Sequence, residues 1–160
     1  MFACRSPRIF QLLPCRAAAS VVLVMLTACG SNGDKQEPAT PTLNAQPITY
    51  MDIESAKLSG PSCNYAAGKS MGAVVMAMND KAVMKLGGAL KRFTLDPQCD
   101  KLEKGTGSRY VAPGYVLDLA VNKETRSEQA GKVGFRGSVK LSDGKGRVLY
   151  STEGDVQCGG

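Results

Sequence analysis

The chain has 160 residues, with 20 Lys+Arg, 14 Asp+Glu, six Cys, no His and no Trp. That is the length of one domain and too short for two well-buried cores. Without His there is no His-based acid–base catalysis, no Ser-His-Asp triad and no usual zinc site. The net charge of +6 and the six cysteines must be read by position before they argue for nucleic acid or for a disulfide scaffold.

The N-terminal stretch carries Arg5, Arg8 and Arg16, and no acid precedes Asp34. Residues 17–26 are uncharged and mostly apolar. That run is shorter than the roughly 20 residues a bilayer-spanning helix needs, and it fits the h-region of a secretory signal peptide. It ends in Leu26-Thr27-Ala28-Cys29, which resembles the lipobox of bacterial lipoproteins. The resemblance implies that residues 1–28 are a signal peptide and that Cys29 carries diacylglycerol and becomes the new N-terminus. Two acyl chains meet the need of a stable anchor, and no cofactor besides this lipid is expected. Gly30 stands where Asp would favour inner-membrane retention, which points to the periplasmic face of the outer membrane. Once the leader is gone, 17 cations face 14 acids. The resulting +3 is too small to argue for nucleic acid.

Residues 29–47 read as the lipidated Cys and a flexible tether. Pro38, Pro41 and Pro47 sit among Thr, Asn and Gln, with little apolar surface to offset the entropy of ordering. Eighteen such residues span roughly 23 Å as a coil.

Residues 48–160 read as one β-rich domain. Val133, Phe135, Gly137, Val139 and Leu141 alternate with Lys132, Gly134, Arg136, Ser138 and Lys140, the pattern of a half-buried strand. Tyr115, Leu117, Leu119 and Val121 give a second such face. Residues 73–78, 82–86 and 89–95 are short apolar or alternating runs, punctuated by Asn79-Asp80 and Gly87-Gly88 as hairpin turns would be. A turn at 142–146 leads to a run at 147–151, and Gly154-Asp155 precedes a last run ending at Cys158. The expected fold is all-β, a small antiparallel barrel or sandwich of about seven to eight strands. The competitor is an α+β domain with a short helix at 51–58 or 96–104.

Cys4 and Cys15 leave with the leader and Cys29 takes lipid. Cys63, Cys99 and Cys158 remain in an oxidising compartment, where disulfides persist. Cys63–Cys158 is the favoured pair because it ties the start of the domain to its last strand. Cys63–Cys99, with Cys158 free, is the rival.

Several chemical motifs are nearly present. Cys63-Asn64-Tyr65-Ala66-Ala67-Gly68-Lys69-Ser70 approaches a P-loop but lacks its first Gly, so no nucleotide is expected. Met71, Met76, Met78 and Met84 form a cluster of soft donors of the kind that suits Cu(I), yet Met is equally a core filler. Asp96 with Asp100, Glu124 with Glu128 and Glu153 with Asp155 read as solvated carboxylates rather than an acid–base pair. Lys132, Arg136 and Lys140 form a basic stripe on one strand face, open to solvent or to an anionic partner. No residue constellation points to an enzyme.

Gly105-Thr106-Gly107-Ser108-Arg109-Tyr110-Val111, then Gly114-Tyr115-Val116-Leu117, resembles the central stretch of the membrane-bound lysozyme-inhibitor family, as does 78–86 its early hairpin. The resemblance implies a lipid-anchored β-barrel that blocks c-type lysozyme by inserting a loop into the enzyme's cleft. It implies partner contacts at Thr106 (where the family has Ser), Gly107, Tyr110 and Lys123. It also implies a disulfide between Cys63 and Cys158. The expected function is non-enzymatic binding by a membrane-anchored periplasmic lipoprotein, with lysozyme as the specific protein ligand. The alternative is an envelope structural or assembly lipoprotein that uses a sheet face or an exposed strand edge.

Overall fold

The computed structural model describes residues 43–129 and 132–160. The expected signal peptide, the lipobox with Cys29 and the tether up to residue 42 lie outside the described residues. In chain order the elements are β1 (Ala45–Gln46), α1 (Tyr50–Ser55), β2 (Ser62–Ala66), β3 (Ala73–Ala77), β4 (Lys81–Leu86) and β5 (Ala89–Leu95). A 3-10 turn at Glu103–Gly105 follows, then β6 (Arg109–Ala112), β7 (Tyr115–Gln129), β8 (Lys132–Asp143) and β9 (Val148–Gly159). Among the described residues no helix is long and apolar enough to cross a membrane.

The strands lie in the order β4-β3-β2-β9-β8-β7-β6-β5, and β5 pairs back with β4. All these pairings are antiparallel. The result is a closed eight-stranded barrel with β1 as an extra strand, the all-β architecture expected from the alternation. Closure pairs most of the edge hydrogen bonds an open sheet would expose. Inside lie Tyr65, Val75, Met84, Phe93, Tyr110, Leu117, Phe135, Val139 and Leu141. The alternating residues of β7 and β8 face inward as their period requires. The Gly87-Gly88 and Asn79-Asp80 hairpins fall where expected.

Two boundaries differ from the sequence reading. β1 pairs through Ala45↔Leu86 and Gln46↔Lys85, on β4 just beyond the point where β3 stops at Met84. The Leu43 N–H donates to Leu149 O at 3.0 Å. Residues 43–47, expected as the end of the tether, therefore belong to the barrel wall, where Leu43 and Ala45 pack against the core. β9 also runs unbroken through Gly154, where Gly154-Asp155 predicts a break. A Cβ there would stand 2.1 Å from Ala66 O, so this glycine admits a close backbone approach rather than a turn.

A short helix forms at 50–55, overlapping the expected 51–58, while 96–104 holds only the 3-10 turn. Thr49 caps it. The Asp52 N–H donates to Thr49 Oγ1 at 3.3 Å, and the Thr49 N–H donates to Asp52 Oδ2 at 2.7 Å, a capping box. Lys85 Nζ donates to the same carboxylate at 2.7 Å. Lys85 first, then Thr49, hold the Asp52 carboxyl down at about 2. The helix lies outside the barrel, where Ile48, Ile53 and Ala56 pack on Leu58, Met76, Met78 and Val83. The methionines therefore part company. Met76 and Met78 sit under the helix, Met84 faces the barrel interior and Met71 is fully exposed.

The Tyr65 hydroxyl is buried and has no hydrogen-bond partner among the described residues. Burial, then the facing phenol of Tyr110, push its pKa far above the usual range. A buried donor without a partner costs about 1–3 kcal/mol. Tyr65→Phe removes that cost and keeps the ring. It is expected to leave stability unchanged or raise it by about 1 kcal/mol, read as the urea midpoint. A loss above that size would reveal a partner for the hydroxyl.

Candidate binding rim

The barrel has two distinct ends. At the near end β1 enters, and the 87–88, 113–114 and 143–147 turns gather with the 67–72 turn. The contacts that define it are the Gly87 N–H to Asn44 O at 3.4 Å and the Gly144 N–H to Gly114 O at 3.0 Å. A Cβ on Gly72 would meet Pro47 at 2.7 Å. At the far end lie the 79–80 hairpin, the loop over residues 96–108 and the last described pair of β7 and β8, Gln129↔Lys132. The four partner contacts implied by the lysozyme-inhibitor resemblance, Thr106, Gly107, Tyr110 and Lys123, fall towards the far end.

The far loop is held by its own backbone. Asp96 N–H donates to Arg109 O at 3.1 Å, Leu102 N–H to Thr106 O at 2.7 Å and Ser108 N–H to Asp100 O at 2.8 Å. Asp96 Oδ1 accepts from the Gln98 N–H at 3.0 Å, a turn in which the side chain stands in for backbone. Thr106 is fully buried, and its hydroxyl donates to Glu103 O at 2.8 Å. Tyr110 is fully buried as well. Its hydroxyl accepts from the Gly107 N–H at 2.8 Å and donates to Met78 O at 2.5 Å. One phenol thus joins the loop to the 79–80 hairpin. Burial pushes the Tyr110 pKa up to about 12 against the pull of the Gly107 N–H, with Cys99 and Asp80 adding to the rise. Gly107 is required by space, since a Cβ would stand 2.1 Å from Leu95 Cδ1 and 2.8 Å from Cys99 Sγ.

Thr106, Gly107 and Tyr110 are therefore brought together, but inward. Their side chains set the loop and do not offer surface to a partner. Lys123 is the one of the four that stands in solvent, 70% exposed, with Nζ 3.9 Å from Glu103 Oε1. It lies in a wide bulge, where residues 123–126 of β7 stand against Phe135 alone on β8. The bulge is fastened by the Thr125 hydroxyl, which donates to Asn122 O at 2.7 Å and accepts from the Arg136 N–H at 2.7 Å. Such bulges re-aim side chains.

Cys63 and Cys158 face each other on β2 and β9 and form a disulfide. The rival Cys63–Cys99 pair is excluded. Cys99 is a half-buried free thiol beside Arg109 O. The bridge lies at the far end, with Glu103 O 3.6 Å from Cys63 Sγ. The P-loop-like segment opens on this bridged cysteine in a strand, and no helix follows it.

The basic stripe is largely neutralised. Arg136 pairs with Asp155 at 2.8 Å and Lys140 with Asp118 at 3.2 Å. Asp118 also accepts from Arg109 Nε at 2.7 Å. Asp118 escaped the sequence reading because it lies on a strand's polar face, and its partners come from two neighbouring strands. Among the described residues no group of three or more His, Cys, Asp or Glu could hold a metal ion. Comparison with protein-family models, with curated proteins and with solved structures finds no match.

Proposed function

We propose that this chain is a lipid-anchored envelope protein that acts by binding another protein at the far rim of its barrel, and that its ligand is a c-type lysozyme. The observation that carries the reading is the pinned loop. Tyr110, Gly107 and Thr106 fix residues 96–108 without side-chain freedom, and Lys123 projects beside it. A loop ordered before binding loses less entropy when it docks. A glycosidase cleft holds two carboxylates, which a projecting ammonium complements. The roles differ from those the resemblance implies. Tyr110, Gly107 and Thr106 are positioning residues, and Lys123 is the contact.

Lys123→Ala is expected to weaken inhibition of cell-wall lysis about tenfold, the loss of one charged contact, with the fold unchanged. Unaltered inhibition would remove Lys123 from the interface. The anchor is tested separately. Cys29→Ser should abolish fatty-acid labelling and release the protein from membranes, and persistent labelling would sink the lipobox reading.

A second reading has its own observation. β7 pairs with β6 only through Arg109–Ala112, at Asp118 and before. Beyond the Leu119 N–H, which donates to Ser108 O, the outer edge of β7 has no strand partner among the described residues. A partner's strand added there is how an envelope assembly protein would use this fold.

A further inference from the structure

The near end of the barrel carries a different surface. Five large hydrophobic side chains stand exposed among the described residues, and four of them gather towards this end. Met71 is 100% exposed in the 67–72 turn, and Val148 is 44% exposed where β9 begins. Tyr50 and Met51 are 72% and 73% exposed in the first turn of α1. That turn follows Ile48, whose N–H donates to Ala73 O at 2.8 Å at the same end. The exception, Val111, lies on the wall of β6.

Cations accompany them. Lys69 is exposed in the turn with Met71, and Lys145 in the turn before Val148. Neither ammonium has an ion-pair partner among the described residues, although the Lys145 N–H donates to Asp143 Oδ1 at 2.9 Å. Lys91 lies over the Tyr115 ring at 4.5 Å. Arg147 pairs with Asp143 at 2.7 Å, and Asp52 with Lys85 at 2.7 Å, so these two acids are already matched, while Glu54 and Glu153 stand exposed. The first described residue, Leu43, is bonded to Leu149 here. Cys29 lies 14 positions earlier in the sequence, a contour of at most about 50 Å.

We propose that the near end of the barrel rests on the membrane to which the chain is tethered, its Met71, Val148, Tyr50 and Met51 entering the interfacial layer and its Lys69 and Lys145 meeting anionic phospholipid headgroups. This rests on the lipid anchor read at Cys29. Amphipathic and aromatic side chains favour the headgroup layer. Each Lys near an anionic surface adds about a fivefold gain in residence. The tether makes a weak surface sufficient, because docking becomes intramolecular. With the near end down, the far loop and Lys123 point away from the lipid, open to a ligand arriving from the aqueous side.

The chain has no Trp, so a single introduced one reports cleanly. Full-length lipidated protein carrying Met71→Trp is reconstituted into vesicles of phosphatidylcholine alone or with one third phosphatidylglycerol. Glu124→Trp, in the far bulge, is the companion. The Met71→Trp emission is expected to shift to the blue on the anionic vesicles and to return when Lys69→Glu and Lys145→Glu are added. The Glu124→Trp emission is expected to stay at its aqueous position on both. Fatty-acid labelling of Cys29 is read on the same samples. Intact labelling with equal Met71→Trp emission on both vesicles would overturn the proposal alone, as would a larger shift at Glu124→Trp. Absent labelling would remove the anchor reading and the proposal with it.

Discussion

Cys63→Ala combined with Cys158→Ala is expected to lower the unfolding free energy by about 4 kcal/mol. The two residues are 95 positions apart, so the bridge closes most of the domain into one loop. Opening it frees the unfolded chain, which the chain-entropy treatment values at about 4–5 kcal/mol for a loop of this size. Both cysteines are buried directly opposite one another on β2 and β9. The bridge therefore fastens β2, the first strand of the closed barrel, to β9, its last. A barrel with 18 glycines and no Trp in its chain has few large side chains to compensate. Urea unfolding of the native and substituted proteins reads the difference directly. Cys99→Ser serves as the control and is expected to change stability by less than about 1 kcal/mol, since its thiol makes one long contact to Arg109 O. A bridge variant within that same margin would show that packing alone holds the barrel.

Tyr110→Phe is the second large effect. The phenol oxygen serves two buried backbone groups, the Gly107 N–H and Met78 O. Removing it leaves a donor and an acceptor without partners, each at about 1–3 kcal/mol. A destabilisation of about 3 kcal/mol is expected, with the loop over 96–108 released from the 79–80 hairpin. Amide exchange at Gly107 would accelerate before the barrel opens globally. The same phenol sets a pH limit. It titrates near 10 in the unfolded chain and up to about 12 in the barrel. Its contribution is fully present below about pH 10 and is lost as pH rises from 10 to 12. Tyr65, raised further by burial, acts in the same direction. The melting temperature is expected to fall through that window, and the fall should be smaller in Tyr110→Phe. An equal fall in both proteins would place the alkaline limit elsewhere.

The wall of the barrel was legible because a strand buried on one face writes itself at period two. Phe135, Val139 and Leu141 face in while Lys132, Arg136 and Lys140 face out. The hairpins at 79–80 and 87–88 were legible from their turn residues. The opening strand was not, since Leu43 and Ala45 are two apolar residues in a Pro- and Thr-rich context. Their pairing with β4 and Leu149 depends on a gap that other strands create. Gly154 misled for a related reason. Its close neighbour, Ala66 O, is 88 positions away in the sequence, so nothing local distinguishes it from a turn glycine. The far loop shows the limit for function. Its Gly-rich motif drew attention to the segment, but Thr106 and Tyr110, which read as contact residues, are buried. Whether a residue in an irregular segment faces out is decided by its distant neighbours, here Met78 O at the Tyr110 hydroxyl and Leu95 and Cys99 against Gly107.

The proposed ligand of the far rim is a c-type lysozyme. The direct measurement is a turbidity titration, in which a secreted form of the chain is added in increasing amounts to lysozyme acting on cell walls. Lysis is expected to fall with added protein to a plateau near one barrel per enzyme, with Lys123→Ala requiring about tenfold more. Undiminished lysis at large excess of the folded, disulfide-bonded protein would contradict the account and leave the free edge of β7 as the surface to pursue.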